Sequence, residues 1–475
     1  MVWLSAPSPR PPFLNGIRGR SSAGSGPRWS PSLAGSYPAF PSIGGWSDAG
    51  NGWVPGASPS QDDSEVSSIP GMGYTGRLVE TPRPSNLRSV LIEDPDELES
   101  WVEPWDGLAE EAGRPYCSPA WMLPWWYHEA PRDALLRAIV LMDDSSALVA
   151  IAPFVADRAY GALTRYRLLA SGRGTPIEPL ARRGREVEVA RLIVQQLGDV
   201  TPRPDLVTIE GATLGWTDLI GRAWGRRRRS SFRLWRSASA PCISLSGRTF
   251  EDWFAARSAN FRKETRWSER RLEGHGFSTH VATGPEEVGR GLVALSTQHL
   301  DRWKKRGGSR VWRTGTLAML RDVEQRLRST DRFRLVTIDN GLDIVGVQLS
   351  VAAGRHLSYW LGSFDERWAN YHPATTAAVT SLRDAWQHGY DTVDLGQGLH
   401  PYKLRLADGR QELAWMMLIP GGLSGIRTHL RLAPRRGARA VVGRLPTQVR
   451  RRARAQLPRP PGTDGVSPDP REVSG

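Results

Sequence analysis

The chain has 475 residues, and this length predicts two domains with additional tails, because one domain usually takes ~100 to 200 residues. The formal net charge is +14, but only four of the 63 basic residues are lysines, a skew typical of GC-rich codon usage. Twelve of the arginines follow residue 420, so the charge indicates a basic tail rather than a nucleic-acid-binding core. Two cysteines exclude a disulfide framework and a cysteine-rich metal site, and no apolar run reaches ~18 residues, so we expect a cytoplasmic protein that holds no metal.

The two ends of the chain have a composition typical of disorder. Residues 1–85 are rich in Pro, Gly and Ser and have neither a helical nor a strand period, so we expect a disordered leader. Met72 lies just before the periodic sequence begins, and we hypothesise that translation starts near it. Residues 421–475 carry twelve arginines against three acidic residues, which predicts a basic, largely disordered tail that leaves peripheral membrane contact open.

The first ordered half is expected to span residues 86–246, with the order helix, helix, strands, helix and strand. Its predicted helices are 95–112, 119–127 and 186–197, and its predicted strands are 135–142, 147–154, 166–170 and 205–210.

The second half, residues 247–420, repeats that order and so suggests a duplicated fold. Its predicted helices are 250–274, 288–306, 314–328 and 373–388, and its predicted strands are 333–338, 343–351, 356–364, 392–395 and 412–418. A hairpin is expected at Asp339-Asn-Gly341, because Asn and Gly accept the positive φ of a tight turn. The whole pattern predicts a mixed α/β fold.

The helix that begins at Pro373 is a candidate phosphate site. Proline suits a first helical turn, where its missing N–H is not needed. The free N–H groups, the positive dipole end and the hydroxyls of Thr375 and Thr376 can hold a phosphate without a lysine. Because every helix has an N-terminus, the alternative that both threonines only decorate an amphipathic helix stays open.

The loop after the fourth strand contains the candidate proton-transfer residues. Asp394 can act as a base or can cap the turn that follows it. Tyr402 can protonate a leaving group, and Lys403 can hold a phosphate or an acceptor carboxylate. His400 is interpreted first as a loop histidine. The sequence has no nucleophile elbow, no P-loop and no zinc-protease motif.

Four side chains elsewhere are candidate substrate contacts, each with a structural alternative. Arg262 and Arg266 lie on a cationic helix that can engage an anionic acceptor or can simply be solvated. Trp303 and Trp360 can wall a groove or can pack in the core.

These segments together resemble a known family. The motifs that carry the resemblance are Phe261-Arg-Lys-Glu-Thr-Arg266, Arg270-Arg-Leu272, His299-Leu-Asp-Arg-Trp303, Asp394-Leu-Gly-Gln-Gly398 and Tyr402-Lys403. They resemble acetyltransferases of the GNAT superfamily described as cellulose-biosynthesis-type or BioF2-like, which are similar to the Fem peptidyltransferases with two GNAT-like lobes. The resemblance covers about residues 88–418 and is most specific between Arg262 and Lys403.

The resemblance implies two tandem GNAT-like lobes, residues 86–246 and 247–420, and acyl transfer from acetyl-CoA or another acyl-CoA to a small polar or glycan-type acceptor. It places the cofactor along Leu361, Gly362 and Ser363 and at Pro373, Ala374, Thr375 and Thr376. It assigns catalysis to Tyr402, Asp394 and Lys403. It assigns substrate contacts to Arg262, Arg266, Trp303, Trp360 and Gln397.

One departure from the family pattern keeps alternatives open. Standard GNAT enzymes carry a Gly-rich loop before the phosphate-binding helix, whereas this chain has Arg367-Trp-Ala-Asn-Tyr-His-Pro-Ala374, without glycine. One alternative is Fem-like aminoacyl transfer from charged tRNA, with the arginines contacting phosphates. Another is a degenerate GNAT-like scaffold in polysaccharide or envelope assembly.

Overall fold

A computed structural model describes residues 86–443, apart from residues 161, 173, 228–229, 305–306 and 310, and gives only the backbone from residue 434 onward. The expected disordered leader and most of the expected basic tail lie outside the described residues. None of the helices within these ranges combines the length and the apolar composition needed to cross a bilayer.

The first half begins with β1 and three helices. These are β1 (Arg88–Ile92), α1 (Pro95–Glu99), α2 (Val102–Ala112) and α3 (Pro119–Glu129). It continues with β2 (Leu135–Met142), β3 (Leu148–Ala159), β4 (Leu163–Leu168), β5 (Leu180–Ala181), α4 (Glu186–Asp199), β6 (Leu206–Thr213), α5 (Leu214–Gly225) and β7 (Ser231–Ser244). Trp105, Leu108 and Ala109 form the buried side of α2, as the helical spacing requires.

The second half begins with helices as well. It contains α6 (Phe250–Ala255), α7 (Ala259–Gly274), β8 (Ser278–Val281), α8 (Gly284–Lys304), α9 (Thr316–Leu327), β9 (Phe333–Asp339), β10 (Ile344–Ala353), β11 (His356–Phe364), α10 (Pro373–Gln387), β12 (Thr392–Asp394), α11 (Pro401–Leu406), β13 (Gly409–Ile419) and α12 (Gly422–Gly443). The single helix predicted for 250–274 is therefore two helices. The side chain of Ser258 accepts a hydrogen bond from Phe261 N (3.2 Å) and starts α7 as an N-cap.

The described strands form one mixed sheet. Its order is β1-β2-β3-β4-β6-β13-β7-β12-β11-β10-β9-β8, and β5 pairs with β3 outside this path. Two neighbouring pairs are parallel, β4 with β6 and β11 with β12, and α4 and α10 are the helices of their crossovers. The two halves thus follow the same plan.

The halves exchange their last strands. β7 ends the first half but pairs with β12 of the second, and β13 ends the second half but pairs with β6 of the first. β7 and β13 also pair with each other, from Cys242 with Gly409 to Ser231 with Ile419. Each half therefore completes the sheet of the other.

Helices cover both faces of the second-half sheet. α8 packs against β10 and β11 on one face, together with α2 and α9, and Trp121 and Trp360 lie in the same core cluster. On the other face, α6 and α10 pack over Leu357 and Val393. All but the first residue of β10 is buried, which explains its near-continuous apolar sequence.

The predicted fold class, a mixed α/β structure of two tandem lobes, is confirmed. The predicted hairpin at Asn340 and Gly341 is present between β9 and β10. Sequence reasoning missed β1, β5, α5, β7, β8 and α11. In β7 the apolar side chains Phe232 and Leu234 are half exposed, so the strand lacks the burial pattern that would mark it.

Candidate active site

The site lies where β11 and β12 separate. The two strands pair only from His356 with Thr392 to Ser358 with Asp394. Beyond that point, Leu361 faces Leu349 of β10 and Tyr359 faces Ser350, so Trp360 is a bulge without a partner. The backbone of β11 after Ser358 is thus unpaired on the side of β12, which opens a V-shaped gap in the sheet.

Tyr359 fills this gap. Its hydroxyl accepts a hydrogen bond from the backbone N–H of Gly362 and is hydrogen-bonded to the hydroxyl of Tyr402. Its ring lies against Gly396, where an added Cβ would come within 3.4 Å of Tyr359 Cδ1. The side chain therefore joins the end of β11, the loop after β12 and α11. Sequence reasoning missed Tyr359, because its position beside Gly362 depends on the bulge.

Asp394 and Lys403 hold the loop after β12. Asp394 Oδ1 accepts a hydrogen bond from Gly396 N (2.8 Å), and Gly396 has a φ of 73°, which favours glycine. Lys403 Nζ donates to the carbonyl oxygens of Gly396 (3.3 Å) and Gln397 (3.0 Å) and lies 5.3 Å from the centre of the Tyr359 ring. Both charged groups are buried and are used to shape this loop.

Burial controls the charges of the site. It raises the pKa of Asp394, although Gly396 N–H, Lys403 and Arg114 act in the opposite direction. It lowers the pKa of Lys403 to about 8, and the carboxyl of Asp394 opposes this. Burial also raises the pKa of Tyr402 well above its ordinary value, so its hydroxyl stays protonated at neutral pH.

His400 lies beside Tyr402, with ring centres 6.2 Å apart. Burial, Lys403 and Arg302 lower the pKa of His400 below its ordinary value. The imidazole is therefore neutral at pH 7 and can accept a proton.

The first turn of α10 is covered by α7. Ser268 of α7 bonds to Thr376 Oγ1 (2.8 Å) and also donates to the carbonyl oxygen of Tyr371. Trp267 stacks on Tyr371 at an interplanar angle of 11°. Glu264 pairs with Arg405 of α11, and one of its oxygens lies 3.8 Å from His372 Nε2.

Backbone N–H groups of the same turn already have hydrogen-bond partners within the protein. The N–H groups of Thr375 and Thr376 both donate to His372 O, at 3.0 and 3.2 Å. Pro373 has no N–H and packs over Gly346. The turn therefore presents the N–H of exposed Ala374 and the half-buried side chain of Thr375. The predicted cradle for a diphosphate is therefore mostly closed.

Four of the predicted substrate contacts and one predicted cofactor contact lie against other parts of the protein. Arg262 donates to the backbone oxygen of Ala255 (2.7 Å), and Arg266 lies over Phe254, so neither side chain points into the gap. Trp360 is buried against Trp121 and Trp312. Trp303 is half buried beside His299, at 6.1 Å between ring centres. Ser363 is turned to α8, where its hydroxyl donates to Gln298 Oε1 (3.1 Å).

Gln397 links the loop to the first half. Its Nε2 donates to Gly174 O (2.7 Å), and its Oε1 accepts from Arg236 Nη2 (2.8 Å). Arg236 also stacks on Trp415 at 4.2 Å, and its buried Nη1 has no hydrogen-bond partner. Buried Oε2 of Glu210, whose charge acts on Arg236, likewise has none. Such unpaired groups at a lobe junction are candidates for ligand contact.

The first half also contributes Tyr116 and Arg114. Tyr116 donates to Ser358 O (3.0 Å), at the last paired residue of β11. Arg114 is bound to Glu178 (2.6 Å), and its charge acts on Asp394. Sequence reasoning missed both residues, because their partners Ser358 and Glu178 are distant in the sequence.

A groove of about 970 Å³ runs along α8. Its walls are α8, the β9–β10 hairpin and the end of β11. The charged lining residues are Arg290, Asp301, Arg302, Lys304, Arg321, Asp343, Asp365, Glu366 and Arg367. Arg302 stacks on Phe364 (5.0 Å), and its charge acts on Tyr359, Tyr402 and His400. Arg302 is thus the lining residue whose charge acts on the side chains of the site, and the charged lining suits a polar ligand.

One set of side chains in the described ranges has metal-ligand chemistry. His280, Glu287 and Asp339 place one ligand atom each within 4.8 Å of one another. These groups already bond to each other and to Thr283 and Thr337. They lie on β8, α8 and β9, away from the gap, so they are not part of the candidate active site.

Comparisons with known proteins give one match to a family model and several similar solved structures. Residues 259–404 match the model of the acetyltransferase (GNAT) domain. No curated protein matches the sequence. Among solved structures, FemX is similar with a TM-score of 0.49 and 9% identity, covering 72% of this chain and 99% of that one. L-PGS from Bacillus licheniformis is similar with a TM-score of 0.43 and 14% identity, covering 71% and 95%.

A tandem GNAT protein from the clavulanic acid biosynthesis pathway is also similar. Its TM-score is 0.35 at 13% identity, and the alignment covers 71% of this chain and 99% of that one.

Proposed function

We propose that this protein is an acyl-CoA-dependent acyltransferase, because residues 259–404 match the model of the acetyltransferase (GNAT) domain. The acceptor is a small polar or glycan-type molecule that offers an amine or a hydroxyl. The observation that carries the proposal is the gap between β11 and β12, with Tyr359, Tyr402 and His400 around its apex. An acyl thioester would supply an activated carbonyl and a thiolate leaving group.

The residues around the gap have distinct roles in this proposal. Tyr402 keeps its proton at neutral pH and supplies it to the leaving thiolate. His400 accepts the proton that the attacking amine or hydroxyl releases, since its imidazole is neutral at pH 7. Asp394 and Lys403 position the loop that carries both residues, through Gly396 and Gln397.

The acceptor is proposed to enter along the groove beside α8. Its mixed acidic and basic lining offers donors and acceptors for hydroxyl-rich ligands. Gln397 and Arg236 lie at the lobe junction, where Arg236 Nη1 offers a hydrogen bond that the protein itself does not use.

A second candidate function is aminoacyl transfer from a charged tRNA. The closed first turn of α10 favours it, since Thr376 bonds to Ser268 and the N–H of Thr375 bonds to His372 O. A donor that brings no coenzyme diphosphate does not need this turn.

Calorimetric titration of the full-length chain with acetyl-CoA tests the proposal. We expect binding, followed by release of free thiol when a panel of amines and sugars is added. Absence of binding at millimolar acetyl-CoA, together with salt-sensitive binding of charged tRNA, would decide for the second candidate. Absence of both acetyl-CoA binding and tRNA binding would favour the alternative of a scaffold without catalytic activity.

A further inference from the structure

The helix α12 presents an apolar stripe to solvent. Leu423, Ile426 and Leu430 are 86%, 57% and 68% exposed. Their spacing of three and four residues places them on one side of the helix. Single exposed leucines are ordinary on protein surfaces, but a row of three on one helix marks an interaction surface.

The opposite side of α12 holds the helix to the sheet. Thr428 Oγ1 donates to Asp205 O (3.0 Å), and Ser424 Oγ donates to Asp205 Oδ1 (2.6 Å). Leu432 is buried in a small cluster with Met417 and Ile419. The stripe therefore lies on the side of α12 opposite to these contacts, and its residues do not belong to the hydrophobic core.

The positive charge of α12 and of the residues after it indicates which kind of partner the stripe binds. Residues 422–443 contain five arginines and no acidic residue, and residues 421–475 contain twelve arginines against three acidic residues. Arginines alone would fit a nucleic acid, whose phosphates need no leucines. Arginines together with exposed leucines on one helix are typical of helices that lie in the interface of an anionic bilayer.

We propose that α12 docks the protein on a membrane surface rich in anionic phospholipids. Leu423, Ile426 and Leu430 enter the boundary of the acyl chains, and the net positive charge of residues 422–443 attracts the anionic headgroups. The helix follows β13, whose 11 residues begin shortly after α11, end at Ile419 and span roughly 35 Å. Docking therefore leaves the strand gap uncovered, so the inference does not depend on the proposed reaction.

Vesicle flotation with the full-length chain tests the proposal. The vesicles contain phosphatidylcholine alone or with about one third phosphatidylglycerol, at low and high NaCl. We expect flotation only with the anionic vesicles and its loss at high salt, because salt screens the arginine contacts. The triple change Leu423→Ser, Ile426→Ser, Leu430→Ser should weaken the apparent affinity by at least about tenfold.

The change Leu342→Ser is the matched control. Leu342 is 91% exposed in the β9–β10 hairpin, so its replacement removes about as much apolar surface elsewhere as Leu423→Ser alone removes from α12. Equal flotation of wild type and the triple variant would overturn the proposal. So would a wild-type dimer that the triple variant abolishes without any vesicle binding, or retained binding to RNA with none to vesicles. Circular dichroism establishes that each variant is folded.

Discussion

Replacing Tyr359 with Phe should strengthen binding of the acyl donor. In the wild type, a donor that enters the gap must break the Tyr359 hydrogen bonds to Gly362 N–H and to Tyr402. Each bond contributes about 1 kcal/mol, so clearing the gap costs about 2 kcal/mol. Tyr359→Phe removes both bonds beforehand and keeps the ring that Lys403 contacts. The Kd for acetyl-CoA should fall by about 10- to 30-fold.

The measurement is calorimetric titration of wild type and variant with acetyl-CoA. Tyr166→Phe is the matched control, since it removes a buried tyrosine hydroxyl bonded to Pro202 O (2.8 Å) in the first half. The control should bind like the wild type. If Tyr359→Phe binds acetyl-CoA equally or more weakly while its circular dichroism is unchanged, the gap is not the donor site.

Three further changes test other parts of the site. Tyr402→Phe should lower the rate of thiol release by more than about tenfold at saturating donor, because the proton donor is lost while the ring remains. Lys403→Met removes an amine whose pKa burial lowers from 10.5 to about 8. The folded state disfavours the ammonium ion. The free energy of unfolding of the wild type, measured in urea, should therefore rise relative to that of the variant by up to about 3 kcal/mol as the pH increases from below 8 to above 10.5. Arg302→Gln should raise the pKa of His400 in an NMR titration, since the guanidinium lowers it.

Each result has a contrary outcome. Unchanged turnover in Tyr402→Phe would remove that hydroxyl from the reaction. A stability difference that stays constant with pH would show that Lys403 is not buried as a cation. An unaltered His400 titration in Arg302→Gln, with Arg367→Gln as the exposed control, would place Arg302 too far away to act on it.

Local signals in the sequence predicted much of the second half. Pro373 and Gly389 bound a helix that the structure gives as Pro373–Gln387, because both residues act within one turn. The loop around Asp394 and Lys403 was also found, since Lys403 is one of only four lysines in this chain. Such features depend on neighbours in sequence and can be read directly.

The rest depends on distant partners. Thr376 was expected to offer its hydroxyl to a phosphate, but α7 packs on that turn and Ser268 takes the hydroxyl. Tyr359 looks like an ordinary strand residue until the bulge at Trp360 sets its direction. The link between Gln397 and Arg236 crosses 161 residues of sequence. None of these contacts has a local signature, so the state of the gap could not be predicted.

The exchange of β7 and β13 ties folding of the halves together. Residues 86–246 expressed alone would leave β6 without β13, and their own β7 without both of its neighbours. Exposed strand edges of this kind invite aggregation, so neither half should be a usable fragment. The pairing of β6 with β13 also joins residues some two hundred positions apart, which slows folding through its loop-closure entropy. The part of the chain that the structure describes should therefore unfold as one cooperative unit rather than half by half.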